Sequence, residues 1–378
     1  MIGIQSASFK GKKVMVRVDF NLPFDQNDCI TDDRRIRNSL PTIQKIISDG
    51  GIVILLSHLG RPKNGYEDKF SLRKIQLQLA NLLAHPVLFS PTCVGPAVKQ
   101  LVDTLEPGSV LLLENLRFFP EETTNDKDFA QALASLADVY VNDAFGTIHR
   151  NHLSISLLPH YFNEKFAGYL LEKEIQAIDR FCSGEPASTI VIMGGGKWID
   201  KTKAVVHLTH YANHILIGGA LALPMYTNQQ ATSIRLDQHQ NCSIHLPTDV
   251  ISALSLDKEA PTQLTLLSDM LSDHHVLDIG PATQAYFADL IVSAKTLLWA
   301  GPMGIFEWKQ AATGTTAVAH AIAKATEQGA YSIIGGGDTA AAVTQLGYAD
   351  KFSHISTGGG SLLAYIAADR KLPGLEPL

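Results

Sequence analysis

Apolar residues gather in short β-prone runs along this chain, apolar on successive positions rather than alternating. They lie at 14–18, 52–56, 110–113 and 139–141 in the first half and at 189–193, 215–217, 276–279, 296–299, 332–334 and 354–356 in the second. Longer stretches with helical periodicity separate them. Such runs suit parallel strands covered on both faces by helices. The pattern predicts an α/β fold of two doubly wound, parallel-sheet (Rossmann-like) domains. Between them, residues 166–181 carry Leu170, Leu171, Glu174, Ile175 and Ile178 at helical spacing before the breaker Ser183-Gly184-Glu185-Pro186, which predicts a connecting helix.

In doubly wound sheets, ligands bind beyond the carboxyl ends of the strands. The most informative stretch of this kind is 331–347, a short strand followed by Gly335-Gly336-Gly337-Asp338-Thr339 and an alanine-rich helix, with Asp338 or Thr339 expected as its N-cap. Glycines without Cβ admit a phosphate to backbone N–H groups, and the helix N-terminus adds positive potential. An aspartate beside such a site suggests a cation between it and the phosphate, hence Mg²⁺ carried with a nucleotide. A glycine turn with an ordinary cap is the competing reading.

Strand ends in the first half are polar and basic: Arg17, Asp19 and Asn21; His58 and Arg61; Arg117; and Arg150. Four guanidinium groups could converge there, and planar forks suit phosphate or carboxylate oxygens. Arg34, Arg35 and Arg37 follow Asp32 and Asp33, so local pairing is expected for most of them, with at most one functional. In the second half, Gly194-Gly195-Gly196-Lys197 leads into a helix bearing Lys201, one turn on; it is not a Walker A loop. Glycines also end other strands, at 218–219, 280, 301–304 and 358–360.

Composition narrows the choices. Eighteen per cent charged residues and a net charge of −6 describe a soluble chain and argue against a nucleic-acid binder. Eight of the eleven arginines precede residue 151, which favours local anion recognition in the first half. Four scattered cysteines form no CxxC pair and are read as buried thiols in a reducing compartment. No signal-peptide core or membrane-length apolar run occurs, so a cytoplasmic location without membrane association is expected. His207, His210 and His214 could share a helical face; without a fourth ligand they are read as solvated rather than as a metal site.

In order along the chain, the segments VRVDFNLP (16–23), RIRNSLPTI (35–43), LLSHLGRP (55–62), LLENLRFFPEE (112–122), DVYVNDAFGTIHR (138–150), AGYLLEKE (167–174), GGGKWIDK (194–201), LDIGP (277–281), GPMGIFE (301–307), GGGDT (335–339) and SHISTGGG (353–360) resemble the phosphoglycerate kinase family. The resemblance implies a hinged enzyme, expected to be monomeric, that moves a phosphoryl group between 1,3-bisphosphoglycerate and ADP, giving 3-phosphoglycerate and ATP. It implies a triose-binding domain at 1–166, a connecting helix at 167–182 and a nucleotide-binding domain at 183–358, with the tail 359–378 returning to the first domain. Asp19, Asn21, Arg35, His58, Arg61, Arg117 and Arg150 would hold the triose. Lys197, Lys201, Gly219, Gly280, Glu307, Gly335, Gly336, Gly337, Asp338 and Thr339 would hold the nucleotide. Asp338 would bind Mg²⁺, and Arg35, Lys197 and Lys201 would act on the transferring phosphoryl group.

The chain departs from the family pattern on the nucleotide side. Ala300 stands where asparagine is usual, Ala220 breaks a triple glycine, Ala282 replaces a common lysine, 223–243 is shorter and unlike its counterparts, and Ser361-Leu362-Leu363 alters the segment after the last glycines. Two readings follow: an active kinase with an altered nucleoside pocket, or a paralogue that binds phosphorylated ligands, catalyses poorly and serves as a binding or interaction protein.

Overall fold

The computed structural model describes all residues except 1, 64, 197 and 232–240, with the backbone alone at 198–200, 202–203 and 228–231. The chain divides into two units: 1–175 with 371–378, and 176–370.

The first unit contains β1 (Lys13–Arg17), α1 (Arg34–Ser48), β2 (Ile52–Leu56), α2 (Arg73–Leu83), β3 (Leu88–Phe89), α3 (Pro96–Asp103), β4 (Val110–Leu112), α4 (Glu121–Thr124), α5 (Lys127–Ala134), β5 (Val139–Asn142) and β6 (Glu164–Ala167). Its strands form one six-stranded sheet in the order β3-β4-β2-β1-β5-β6, parallel throughout. Both faces of the sheet are dry. Val14, Val16, Val53 and Leu55 pack with Ile36 and Ile43 of α1 on one side, and Met15, Ile54, Leu56 and Leu111 pack with Val98 and Leu133 on the other. This two-sided burial is why the strands read as continuous apolar runs.

Helix α6 (Tyr169–Cys182) follows β6, and the division between units falls within it, after Ile175. The predicted helix began at Phe166, but Phe166 and Ala167 are strand residues paired with Val141 and Asn142. Gly168 makes the break; a Cβ there would stand 2.2 Å from Asp143 Oδ1.

The second unit continues with β7 (Thr189–Met193), α7 (Trp198–Leu208), β8 (His214–Ile217), α8 (Ala222–Ala231), β9 (Ser243–His245), β10 (Asp249–Ala253), β11 (Gln263–Leu266), β12 (His275–Ile279), α9 (Pro281–Val292), β13 (Thr296–Ala300), α10 (Thr313–Glu327), β14 (Tyr331–Gly335), α11 (Gly337–Gln345), β15 (His354–Ile355) and α12 (Gly359–Ala367). A second parallel six-stranded sheet has the order β15-β14-β13-β7-β8-β9. Its core joins Ile190, Ile192, Leu216, Leu297, Trp299 and Ile334 to Phe287, Val318 and Ile322.

Several expectations need correction. The run at 276–279, predicted as a strand of the parallel sheet, belongs instead to a small antiparallel sheet, β11-β10-β12. His207 lies in the last turn of α7, His210 in the turn that follows the helix and His214 opens β8, so the three histidines share no helical face. Among the cysteines, Cys93 is buried but Cys29 is exposed. No helix among the described residues is long and apolar enough to cross a membrane.

Candidate active site

Strand ends of the first unit build a cationic cluster. Asp19, just past β1, is buried and meets Arg35 Nη1 of α1 at 3.1 Å. Arg35 Nη1 also donates to the Asn21 carbonyl at 2.8 Å, while the Asn21 side chain accepts from Gly60 N at 2.8 Å. Its neighbours are spent locally, Arg34 on Asp32 and Arg37 on Asp33. Arg117, raised on a short turn after β4, donates to the Gly60 carbonyl. Arg61, Arg117 and Arg150 line one cavity of about 630 Å³ together with Lys63, His149 and His152, and no carboxylate is among its lining residues.

Electrostatics within this cluster are those of a site awaiting negative charge. Burial, reinforced by Arg150, Arg17 and Arg61, brings the Arg117 guanidinium down to about 10. Burial and the surrounding guanidiniums also hold His58 well below the usual imidazole range, and bring His152 down to about 4, so both rings are neutral at pH 7. Arg150 is lowered by burial, with Asp19 opposing the shift. Two buried nitrogens, His58 Nε2 and Arg150 Nη1, have no partner among the described residues. Unsatisfied buried donors are costly, and an anionic ligand would satisfy them.

The second unit supplies a different surface. The turns after β7 and β13 interlock: Gly195 N donates to the Pro302 carbonyl at 2.7 Å, and a Cβ on Gly301, at φ +105°, would stand 2.1 Å from Gly194 O. Lys201 Nζ donates to the Gly194 carbonyl at 2.5 Å, so α7 sets its ammonium among these turns. Gly219, after β8, packs on the same place, since a Cβ there would meet Gly195 N at 2.7 Å.

Thr339 ties the turn after β14 to this group, its buried hydroxyl accepting from Gly301 N at 2.7 Å. The N-cap of α11 is Gly336, not Asp338 or Thr339 as predicted; both lie in the first turn, and no side chain caps the helix. Asp338 is exposed there. Lys201, Gly219, Gly335, Gly336, Gly337 and Thr339 therefore gather at one sheet edge.

Two other second-unit residues sit differently. Gly280 caps α9, but the amides of Ala282 and Thr283 there already donate to the Asp249 carboxylate at 3.0 and 2.8 Å. Glu307 is exposed in the loop beyond Gly301, within a turn closed by Trp308 N on the Ile305 carbonyl at 2.9 Å. Lys197 lies outside the described residues. No group of three or more histidine, cysteine, aspartate or glutamate side chains able to hold a metal occurs among the described residues.

The phosphoglycerate kinase family model matches residues 4–369. The chain belongs to the phosphoglycerate kinase family. It is 42% identical over 385 residues to the phosphoglycerate kinase of Chlorobium chlorochromatii, covering 98% of this chain and 97% of that one. It is likewise 42% identical over 392 residues to that of Chloroherpeton thalassium, covering 99% and 98%. Among solved structures it is similar to phosphoglycerate kinase from Coxiella burnetii (TM-score 0.80, 33% identity, 100% and 98% of the chains) and from Pyrococcus horikoshii (TM-score 0.87, 28% identity, 100% and 98%).

Within this phosphoglycerate kinase fold, the structure adds residues that strand-end reading missed. Arg17, named among the strand-end arginines, is 1% exposed and bonded to Ser154 Oγ at 2.9 Å, which is bonded in turn to the buried Glu122 at 2.7 Å; Ser154 and Glu122 are the additions. His149 and His152 follow the DAFGT segment, but nothing in their spacing marks them as cavity residues.

Proposed function

We infer that this chain is a phosphoglycerate kinase, transferring a phosphoryl group between 1,3-bisphosphoglycerate and ADP to give 3-phosphoglycerate and ATP. The observation that carries this reading is the cavity of the first unit, where Arg61, Arg117 and Arg150 meet without a carboxylate among the lining residues. Its size and charge suit a small triose bearing two anionic groups. Arg35, held by Asp19 and the Asn21 carbonyl, and His58, with its unpaired ring nitrogen, are not among the lining residues but stand in the same cluster of charges, and they would reach the triose from beside the cavity. A paralogue that only binds phosphorylated ligands is not favoured: relatives at 40–42% identity over nearly the full length carry the kinase name.

The chemistry needs no general base. ADP attacks with an ionised phosphate oxygen, and in reverse 3-phosphoglycerate attacks with its carboxylate. The residues instead align the groups, exclude water and neutralise charge on the transferring phosphoryl. Arg35 from the triose side and Lys197 and Lys201 from the nucleotide side take that role in this proposal. Phosphates of the nucleotide would lie on the uncapped first turn of α11 and the Gly335–Gly337 backbone, with Gly219, Gly280, Thr339 and Glu307 completing the nucleotide side.

Asp338, exposed in that first turn, fits a metal that arrives with the nucleotide and is partly held by its phosphates. Mg²⁺ there would offset phosphate charge. A cytoplasmic monomer is the proposed working form.

A coupled assay with 3-phosphoglycerate, ATP and Mg²⁺, and in reverse with ADP or GDP, tests the proposal. Turnover in both directions is expected. Folded protein with no turnover on any of these nucleotides would overturn it. Ala300 and the altered 223–243 segment, of which 232–240 lie outside the described residues, bear on the nucleoside pocket, so ADP and GDP are compared side by side.

A further inference from the structure

Behind His58 lies a buried polar chain. The two carboxylate oxygens of Glu122 accept from Ser154 N at 2.9 Å and Ser154 Oγ at 2.7 Å. With its own hydrogen given to Glu122, the Ser154 hydroxyl oxygen accepts from Arg17 Nε at 2.9 Å. Arg17 Nη1 is held by the Val18 carbonyl, and Nη2 stands 3.3 Å from His58 Nδ1. All three guanidinium nitrogens of Arg17 thus face protein partners, and the side chain is 1% exposed.

A guanidinium has donors only. The His58 Nδ1 that faces it is therefore the acceptor, and the ring proton belongs on Nε2. Asp19 Oδ1, the other group near Nδ1, is 3.8 Å away, beyond hydrogen-bond reach. Nε2 is buried without a partner among the described residues. A buried N–H left unpaired in the free protein is a donor held ready for an oxygen that arrives with the ligand.

We propose that Arg17, held by Ser154 and Glu122, is a positioning residue that locks His58 in its Nε2–H tautomer, so that this N–H donates to an oxygen of the anionic substrate. Charge neutralisation falls to Arg35, Arg117 and Arg150, and the neutral ring contributes direction. Burial together with the neighbouring guanidiniums keeps the imidazole uncharged, which agrees with a donor of fixed tautomer rather than a cation. The identity of the substrate rests on the phosphoglycerate kinase reading; the tautomer does not.

In the full chain labelled at histidine, ¹⁵N NMR at pH 7 without ligand is expected to show His58 protonated at Nε2 and bare at Nδ1. Ser154→Ala, which removes the link to Glu122, is expected to populate the second tautomer. It should also raise KM for 3-phosphoglycerate about tenfold while kcat changes less than about twofold. Ser154→Thr, which keeps the hydroxyl, should restore both. Arg17→Lys, which retains the charge on one nitrogen in place of three, gives an independent loss if Ser154→Ala does not fold. A wild-type Nδ1–H tautomer overturns the proposal, and so does a tautomer change with KM unaltered. Because the NMR measurement needs neither turnover nor nucleotide, it fails or succeeds apart from the kinase reading.

Discussion

Three arginines stand at the start of α1, and their chemistry diverges within a few ångströms. Arg37 meets Asp33 at 2.8 Å and Arg34 meets Asp32 at 2.5 Å, both carboxylates close by in sequence, whereas Arg35 turns to Asp19 at 3.1 Å across the sheet edge. Sequence spacing foresaw the local pairs but could not choose the exception, because the choice depends on where β1 ends relative to α1. Arg150→Ala should raise KM for the triose at least about tenfold and leave the nucleotide KM within about threefold, since it removes one charge-assisted contact; steady-state kinetics with each substrate varied checks this. Lys201→Ala should lower kcat by about 10²–10³ with triose affinity retained, as for other lost electrostatic donors. Lys197→Ala should do likewise, and equal loss of triose affinity, read by calorimetry, would remove either lysine from its assigned role.

Elements of the second unit differ in how their helix N-termini are satisfied. First-turn amides of α9 donate to Asp249 and Gly314 N in the first turn of α10 donates to Asp278 at 2.7 Å, whereas the N-cap residue of α11, Gly336, has no side chain to offer. The glycine turn before α11 was legible in the sequence; the capping of its neighbours was not, because Asp249 and Asp278 are distant in sequence from the amides they serve. Burial pushes Asp278 up to about 7, against the Gly314 and Ile279 amides. Its folded pKa thus lies above the ordinary carboxylate value, so the native state holds a proton that the unfolded state releases between about pH 4 and 7. That contribution falls as pH rises through this window. Urea unfolding at pH 5 and 8 is expected to show Asp278→Asn gaining on the wild type at the higher pH; a pH-independent difference would show that the carboxyl titrates normally. At the next turn, a Cβ on Gly359 would stand 2.2 Å from Gly336 Cα, so Gly359→Ala should weaken ATP binding about tenfold or more by displacing the turn before α11, measurable by calorimetry.

On the scale of the whole molecule, each unit has its own two-faced sheet, and the last eight residues, 371–378, belong with the first unit. Gly374 is bonded there through its N to the Ile148 carbonyl at 2.9 Å and through its O to Asn142 Nδ2 at 3.2 Å, and Leu372 is buried. These contacts reach the segment that carries His149 and Arg150. Truncation after Arg370 should cost the first unit about 2–5 kcal/mol, from two hydrogen bonds and one buried leucine, and should raise the triose KM. Calorimetric scanning of the truncated and full chains, with and without 3-phosphoglycerate, would show whether the loss is confined to one transition.

The sequence alone determined the α/β class, the two parallel sheets, most of their strands and the ordered strand-end motifs, because strands buried on both faces must be apolar at successive positions and ligand-facing turns must be glycine-rich or charged. It did not separate β12 from the parallel sheet, since a short apolar run looks the same in either setting. Nor did it show that Arg17 turns inward to Ser154 and Glu122, that His58 keeps an unpaired nitrogen, or that Asp249 fills the N-terminus of α9. Those outcomes depend on side chains brought together from distant parts of the chain. Sheet order and burial decide which donors are spent inside the protein and which remain for a ligand.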